Sequence, residues 1–189
     1  MERPTVLKRF LRKPAFSDEG LELYQAIVMQ GRLPFFYSDL AVPDTVDGRF
    51  DLITLHIFLT MRRLKREGAA SEALGQDLTE IFFADMDLNL RELGASDIGV
   101  GRRVKRMIEG YYGRSVAYEA ALDGEGDRLE EVLSRNLFGT TEASDAVLAD
   151  LAAYVRAADG ELAQQAWTRL AKGRIDFPEP RVGMAQHVG

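Results

Sequence analysis

The chain has no cysteine. That absence excludes disulfides, iron–sulfur clusters, thiol nucleophiles and thiolate zinc sites together. Histidine is almost as scarce, with only His56 and His187 present. Basic excess is missing as well: 24 Lys and Arg stand against 30 Asp and Glu, a formal net charge of -6. That balance argues against a general nucleic-acid binder, DNA included. The longest apolar run, Leu52 to Met61, is too short for a bilayer, which takes about 20 residues. No signal peptide is legible, so a soluble protein is expected. Strand-length alternation and internal repeats are also absent. With 189 residues, one domain with a real core is expected, without staples.

What the sequence does contain is an acid-rich turn, Val42-Pro43-Asp44-Thr45-Val46-Asp47-Gly48-Arg49-Phe50-Asp51, running into that apolar stretch. A helix apolar all round belongs at the centre of a helical domain. The rest reads as helices with short joints. Ser17-Asp18-Glu19 offers a helix start, followed by Leu21, Tyr24, Ile27 and Val28 at helical spacing until Pro34. The central helix runs to about Arg66, a third helix from about Ser71 to Leu93 with Gly94 as its stop, and a fourth from Ser96 or Asp97 to about Leu122. Three shorter helices follow, with breaks at Gly139-Thr140-Thr141, Asp159-Gly160 and Gly173. The fold class is all-α, a compact multi-helix domain of about six to seven helices. It divides into a basic N-terminal segment (1–16), a single helical domain (17–173) and an extended or disordered tail (174–189).

Residues 1–15 hold five bases (Arg3, Lys8, Arg9, Arg12, Lys13) against Glu2, a local charge of +4. Interleaved with Val6, Leu7, Phe10 and Leu11, they suit an anionic membrane surface as well as they suit a frayed terminus.

Candidate chemistry is sparse. Asp85, Asp87 and Asn89 imitate the start of a calcium loop, but Leu90 and Ser96 stand where Gly and Glu are needed. Gly99-Val100-Gly101 lacks the Gly-Lys-Ser/Thr ending of a phosphate loop. On a helical wheel Asp85 and Asn89 fall in the apolar stripe of the third helix, with Glu92 at its border, and a core-facing carboxylate needs a partner. Arg49, His56 and Arg63 share one face of the central helix. An antiparallel pairing of these helices places Arg49 near Asn89 and His56 near Phe83, and Arg114 joins from the fourth helix. A buried network of Arg49, Asp85, Asn89, Glu92 and Arg114 is therefore expected. It either fixes helix register or walls a groove for a partner segment. His56 reads as a packed, hydrogen-bonded residue. Arg102, Arg103, Lys105 and Arg106 form a compact basic patch that is either a solvated helix face or a contact for anionic lipid or ribosomal RNA. Nothing indicates a catalytic residue, metal or cofactor.

Several stretches together resemble the ubiquinol–cytochrome c chaperone family. They are Tyr24 to Gln30, Pro34 to Tyr37, the Val42 to Asp51 turn with its helix through Leu64, Ala84 to Gly94, Asp97-Ile98-Gly99-Val100-Gly101 and Tyr112-Gly113-Arg114. The resemblance covers roughly residues 20–140 and implies a non-enzymatic, all-helical assembly factor for respiratory complex III. Mitochondrial members of that family hold newly made cytochrome b together with a small helical partner near the ribosomal exit. The short N-terminal stretch looks like a bacterial-type member. Such a protein would be cytoplasmic and peripheral at the inner membrane, with cytochrome b or another respiratory membrane protein as client. The client would lie in a groove walled by the loop holding Asp44 and Arg49 and by Asp85, Asn89, Glu92 and Arg114. The rival reading is a helical module enclosing an apolar lipid or quinone.

Overall fold

The computed structural model describes residues 16–92, 97–139 and 141–187, with the side chains of 97–100 and 186–187 outside the description. The basic stretch 1–15, the Gly94 stop and Ser96 therefore lie outside the described residues. Among the described residues every regular element is helical. In order they are α1 (Asp18–Gly31), α2 (Phe35–Ser38), α3 (Val46–Lys65), α4 (Glu72–Glu92), α5 (Asp97–Asp123), α6 (Leu129–Leu137), α7 (Asp145–Gln164) and α8 (Trp167–Leu170). Single 3-10 turns occupy Gly68–Ser71 and Met184–His187.

The helix starts follow side-chain chemistry. Ser17, Thr45 and Ser144 each accept a hydrogen bond from the backbone N–H three residues on, opening α1, α3 and α7. Such a cap satisfies one of the four orphan donors of a helix start. α1 stops at Gly31, before Pro34, and α3 ends in Arg62, Arg63 and Lys65, cations that suit the negative end of its dipole.

α3 is the axis of the molecule. Every residue from Leu52 to Thr60 is buried, so a neighbour covers each of its sides. α1 and α4 run parallel to each other, as Ser17–Asp77 and Tyr24–Asp85 hydrogen bonds show. α3 runs against both, with Phe50 stacked on Phe82 and Met61 beside Gly75. α5 and α7 run with α3, joined to it at Asp51–Arg114 and His56–Tyr154. Arg62 of α3 ties the far end together, reaching Glu119 and Asp123 of α5 at 2.9 and 2.5 Å and Asp159 of α7 at 3.1 Å.

Two expectations fail here. Asp159-Gly160 does not break a helix; α7 passes straight through it. An exposed glycine costs a helix only about 1 kcal/mol. Burial of Ala158 and Leu162 on either side and the bonds from Arg62 and Arg66 to Asp159 outweigh that. His56 does not face Phe83. It points to α7 and the tail, between Tyr154, Phe36 and Phe177. On a helix buried all round, the wheel cannot say which neighbour a given side chain meets.

After Gly173 the chain runs without regular structure to the 3-10 turn at Met184–His187 and lies against the core. Ile175 and Pro180 are buried, Phe177 packs edge-on against His56, and Asp150 of α7 accepts hydrogen bonds from the N–H groups of Gly183 and Ala185.

Candidate functional site

The signature turn builds one wall of a cleft. Thr45 caps α3 through the Gly48 N–H at 3.0 Å, and the first turn of the helix presses against the chain before it. A Cβ on Gly48 would sit 2.1 Å from the Pro43 carbonyl oxygen, so only glycine fits there. Val42 is buried beneath the turn, and Ala41 takes a positive φ of 52° to reverse the chain. That reversal aims Val46, Asp47, Arg49 and Phe50 outward toward the C-terminal ends of α1 and α4.

Between those ends and the start of α5 lies a cleft of about 300 Å³. Its floor is apolar, made by Phe50, Ile53, Phe82, Met86, Leu90 and Met107. Charge sits around the rim: Arg32, Arg49 and Arg103 against Asp47, Asp85 and Glu92. Arg32, Arg49, Asn89, Glu92 and Arg103 are exposed, so the cleft opens to solvent. A wider hollow of about 640 Å³ between α6 and α7 has Arg128, Glu130, Glu131, Arg135 and Asp145 in its walls and no aromatic floor.

Arg49, Asp85, Asn89 and Glu92 thus line one cleft, but the expected buried network among them is not what the structure holds. Arg49 pairs with Asp44, Nε to Oδ1 at 2.6 Å, with both side chains more than half exposed. The nearer carboxylate, five residues back across the turn, takes the guanidinium before the α4 acids can. The hydrogen bond from Arg49 holds the Asp44 carboxyl below its usual range. Arg49 also lies over the Tyr37 ring, 5.8 Å from its centre. Arg114 stands apart from the cleft and pairs with Asp51 of α3. Burial pushes the Asp51 carboxyl up to about 6, although Arg114 pulls the other way. Asn89 donates to the Asp85 backbone carbonyl within its own helix, and Glu92 is exposed.

Asp85 does find the partner its half-buried position requires. The Tyr24 hydroxyl of α1 donates to Asp85 Oδ2 at 2.7 Å. Burial first, and then this bond, raise the Tyr24 pKa far above that of a free phenol. His56 lies in the core, away from the cleft. Its Nδ1 meets the Leu52 carbonyl at 2.8 Å, its Nε2 the Tyr154 hydroxyl at 2.7 Å, and burial lowers its pKa to about 4. Sequence reasoning missed Asp51, Phe50, Ile53, Met107 and Arg32. Phe50 and Asp51 lie inside the quoted turn, and an aromatic and an acid one turn into a buried helix were a usable signal. Nothing local marks Arg32 or Met107, which only the meeting of three helices brings to one place.

The basic patch is exposed throughout. Arg103 approaches Asp47 at 3.4 Å and Lys105 approaches Glu109 at 3.8 Å. Among the described residues Arg102 and Arg106 have no ion-pair partner. No group of three or more His, Asp or Glu among the described residues is placed to hold a metal ion. None of the described helices is long and apolar enough to cross a membrane.

Comparison with known proteins bears on this geometry. A family described as ubiquinol-cytochrome C chaperone matches residues 38–177, which takes in the turn, the α3, α4 and α5 walls of the cleft and the tail to Phe177, but not Tyr24 and Arg32. The ubiquinol-cytochrome-c reductase complex assembly factor 1 of Xenopus laevis is 23% identical over 137 residues, 72% of this chain and 68% of that protein. The Drosophila melanogaster protein of the same name is 24% identical, covering 80% of this chain and 63% of its own length. The mouse protein is 21% identical, and the aligned part spans 46% of its length. The chain therefore matches between about half and two thirds of these longer relatives. The crystal structure of the Cbp3 homolog from Brucella abortus superposes with a TM-score of 0.77 at 38% identity, covering 92% of this chain and 97% of that one. With the fold, the turn and the matched span all in agreement, the chain belongs to the ubiquinol–cytochrome c chaperone family.

Proposed function

We propose that this protein is a non-enzymatic assembly chaperone of the ubiquinol–cytochrome c reductase complex that holds a membrane-protein client, cytochrome b, through the α1/α3/α4/α5 cleft. The observation that carries the reading is an open cleft with an apolar floor and a rim of both charges, built largely from the turn and the α3, α4 and α5 residues that the family match spans. Apolar side chains of a client helix suit such a floor, and Met86 and Met107 give it adaptable thioethers. A volume of about 300 Å³ holds a few client side chains rather than a whole helix. An enclosed chamber would suit a lipid or quinone better, and this cleft is open. Asp44, Arg49, Asp85, Asn89 and Glu92 then act as its rim, Tyr24 as the brace behind Asp85, and Arg114 as a brace for α3 through Asp51. Arg102, Arg103, Lys105 and Arg106 face the anionic inner membrane at its cytoplasmic side, where the client emerges, each base adding roughly 1 kcal/mol of attraction. A small helical partner protein fits the same picture.

The test is a pull-down of tagged protein from detergent-solubilised membranes, comparing wild type with Val46→Glu and Asp85→Ala. Val46 is exposed on the cleft wall, so a charge there blocks the cleft without touching the core. Cytochrome b is expected with the wild type and a several-fold lower recovery with both variants. If cytochrome b is never recovered and quinone or lipid co-purifies instead, the chaperone reading is replaced by the small-molecule one.

A further inference from the structure

Most charges lining the cleft are already matched within the protein. Arg49 is held by Asp44, Arg103 lies 3.4 Å from Asp47, and Asp85 accepts from Tyr24. Glu92 ends α4 beside residues 93–96, outside the described set. Arg32 is different. It follows the last residue of α1, its backbone N–H closes on the Met29 and Gln30 carbonyls, and its side chain is exposed. Among the described residues its guanidinium has neither an ion pair nor a hydrogen bond. It lines the apolar cleft and also the adjoining depression formed with Pro34, Tyr37, Ser38 and Asp44. An unmatched cation therefore stands on the ridge between an apolar floor and a polar shelf, on a protein whose net charge is -6.

The geometry points to Arg32 as a specificity-determining residue. It selects a client segment whose apolar anchors are followed, about one turn on, by a carboxylate. This deepens the client reading of the cleft and rests on it. The anchors lie on Phe50, Phe82 and Met86, and the client's Asp or Glu meets the guanidinium, whose N–H fork donates to both carboxylate oxygens. Because Arg32 is exposed, the pair contributes discrimination rather than most of the affinity. The same residue also suits the negative end of α1's dipole, so its test must read preference between ligands and not stability.

Labelled amphipathic peptides provide that reading. Each carries Leu and Phe one helical turn apart, with Glu, Gln or Lys one turn further on, and is titrated by fluorescence anisotropy against the full chain. The wild type is expected to bind the Glu peptide roughly 3-fold or more tighter than the Lys peptide, with the gap shrinking in high salt. Arg32→Glu should reverse the order, which a loss of folding cannot do, and Val46→Glu, which puts a charge on the apolar wall, should weaken all three peptides. Equal binding of the three by the wild type, with Val46→Glu still blocking them, overturns the role of Arg32 and leaves the cleft reading standing. A Glu preference that survives Arg32→Glu assigns the carboxylate to another cation and equally overturns it. If no peptide binds, the cleft reading falls and takes this inference with it.

Discussion

At the scale of single residues, the tightest arrangement lies in the core rather than the cleft. His56 is fully buried, and both ring nitrogens are engaged, by the Leu52 carbonyl and the Tyr154 hydroxyl. Tyr154 in turn accepts from the Gln30 side chain at 3.0 Å, which also donates to the Pro178 carbonyl at 3.0 Å. Four segments meet in this chain of bonds. Unfolded, His56 takes up its proton near pH 6.5; folded, only near pH 4. Between those values the unfolded state holds more protons, so the His56 contribution is complete above pH 6.5 and is lost as the pH falls toward 4. The loss is roughly 3 kcal/mol. Asp51 works in the opposite direction. Its folded carboxyl is raised from 3.8 to about 6, so it favours the folded state less as the pH rises through that interval. The two partly cancel in a bulk melt, and His56 is best followed by the NMR titration of its own ring, which should still be neutral at pH 5. A ring that titrates near 6.5 would place His56 in contact with water. Tyr154→Phe leaves the His56 nitrogen unpaired and should lower the unfolding free energy by about 1–3 kcal/mol, measured by urea denaturation.

At the scale of elements, the start of α3 is the part whose geometry is least forgiving. Alanine normally favours a helix over glycine by about 1 kcal/mol. At position 48 the added methyl would overlap the Pro43 carbonyl, 2.1 Å away. Gly48→Ala should therefore destabilise by about 2–3 kcal/mol in spite of its helix propensity. It should also displace the turn that presents Val46, Arg49 and Phe50, reducing client recovery even at temperatures where the variant is folded. A variant as stable as wild type would mean that the Val42 to Gly48 chain moves aside freely. The same element explains why the expected polar network dissolved into separate pairs. An arginine in the first turn of a helix meets the acids of its own turn before those of another helix. So Arg49 found Asp44, and Asp51, deeper along α3, was left for Arg114.

At the scale of the whole molecule, the helices are held at one end by Arg62 and its three acids and closed on one side by the C-terminal tail. The acids hold Arg62 charged well above the usual guanidinium range. Ending the chain after Gly173 removes Phe177 from His56 and leaves Asp150 without the Gly183 and Ala185 amides. We expect a loss on the order of 3 kcal/mol and a rise of the His56 pKa toward 6.5 as water reaches the ring. A truncated protein that melts like the full chain, with His56 unchanged, would show that the tail adds nothing to the core.

The sequence by itself determined the helical class, the helix start at Ser17 and the central place of α3. Each follows from interactions within a few residues or from a periodicity that a single helix expresses alone. The motifs from Tyr24 to Arg114 also carried the family, because a turn as constrained as Val42 to Gly48 leaves its requirements in consecutive residues. Only the tertiary structure decided which neighbour each side chain of α3 meets, and so whether His56 faced α4 or α7. It also decided that α7 runs through Gly160, that the tail docks, and that Arg32, Phe50, Met86 and Met107 meet at one cleft. The physical reason is one of range. Caps, turns and amphipathic faces are settled by chemical neighbours along the chain. Partners across the core are chosen among several carboxylates or rings of similar chemistry, and packing alone selects between them.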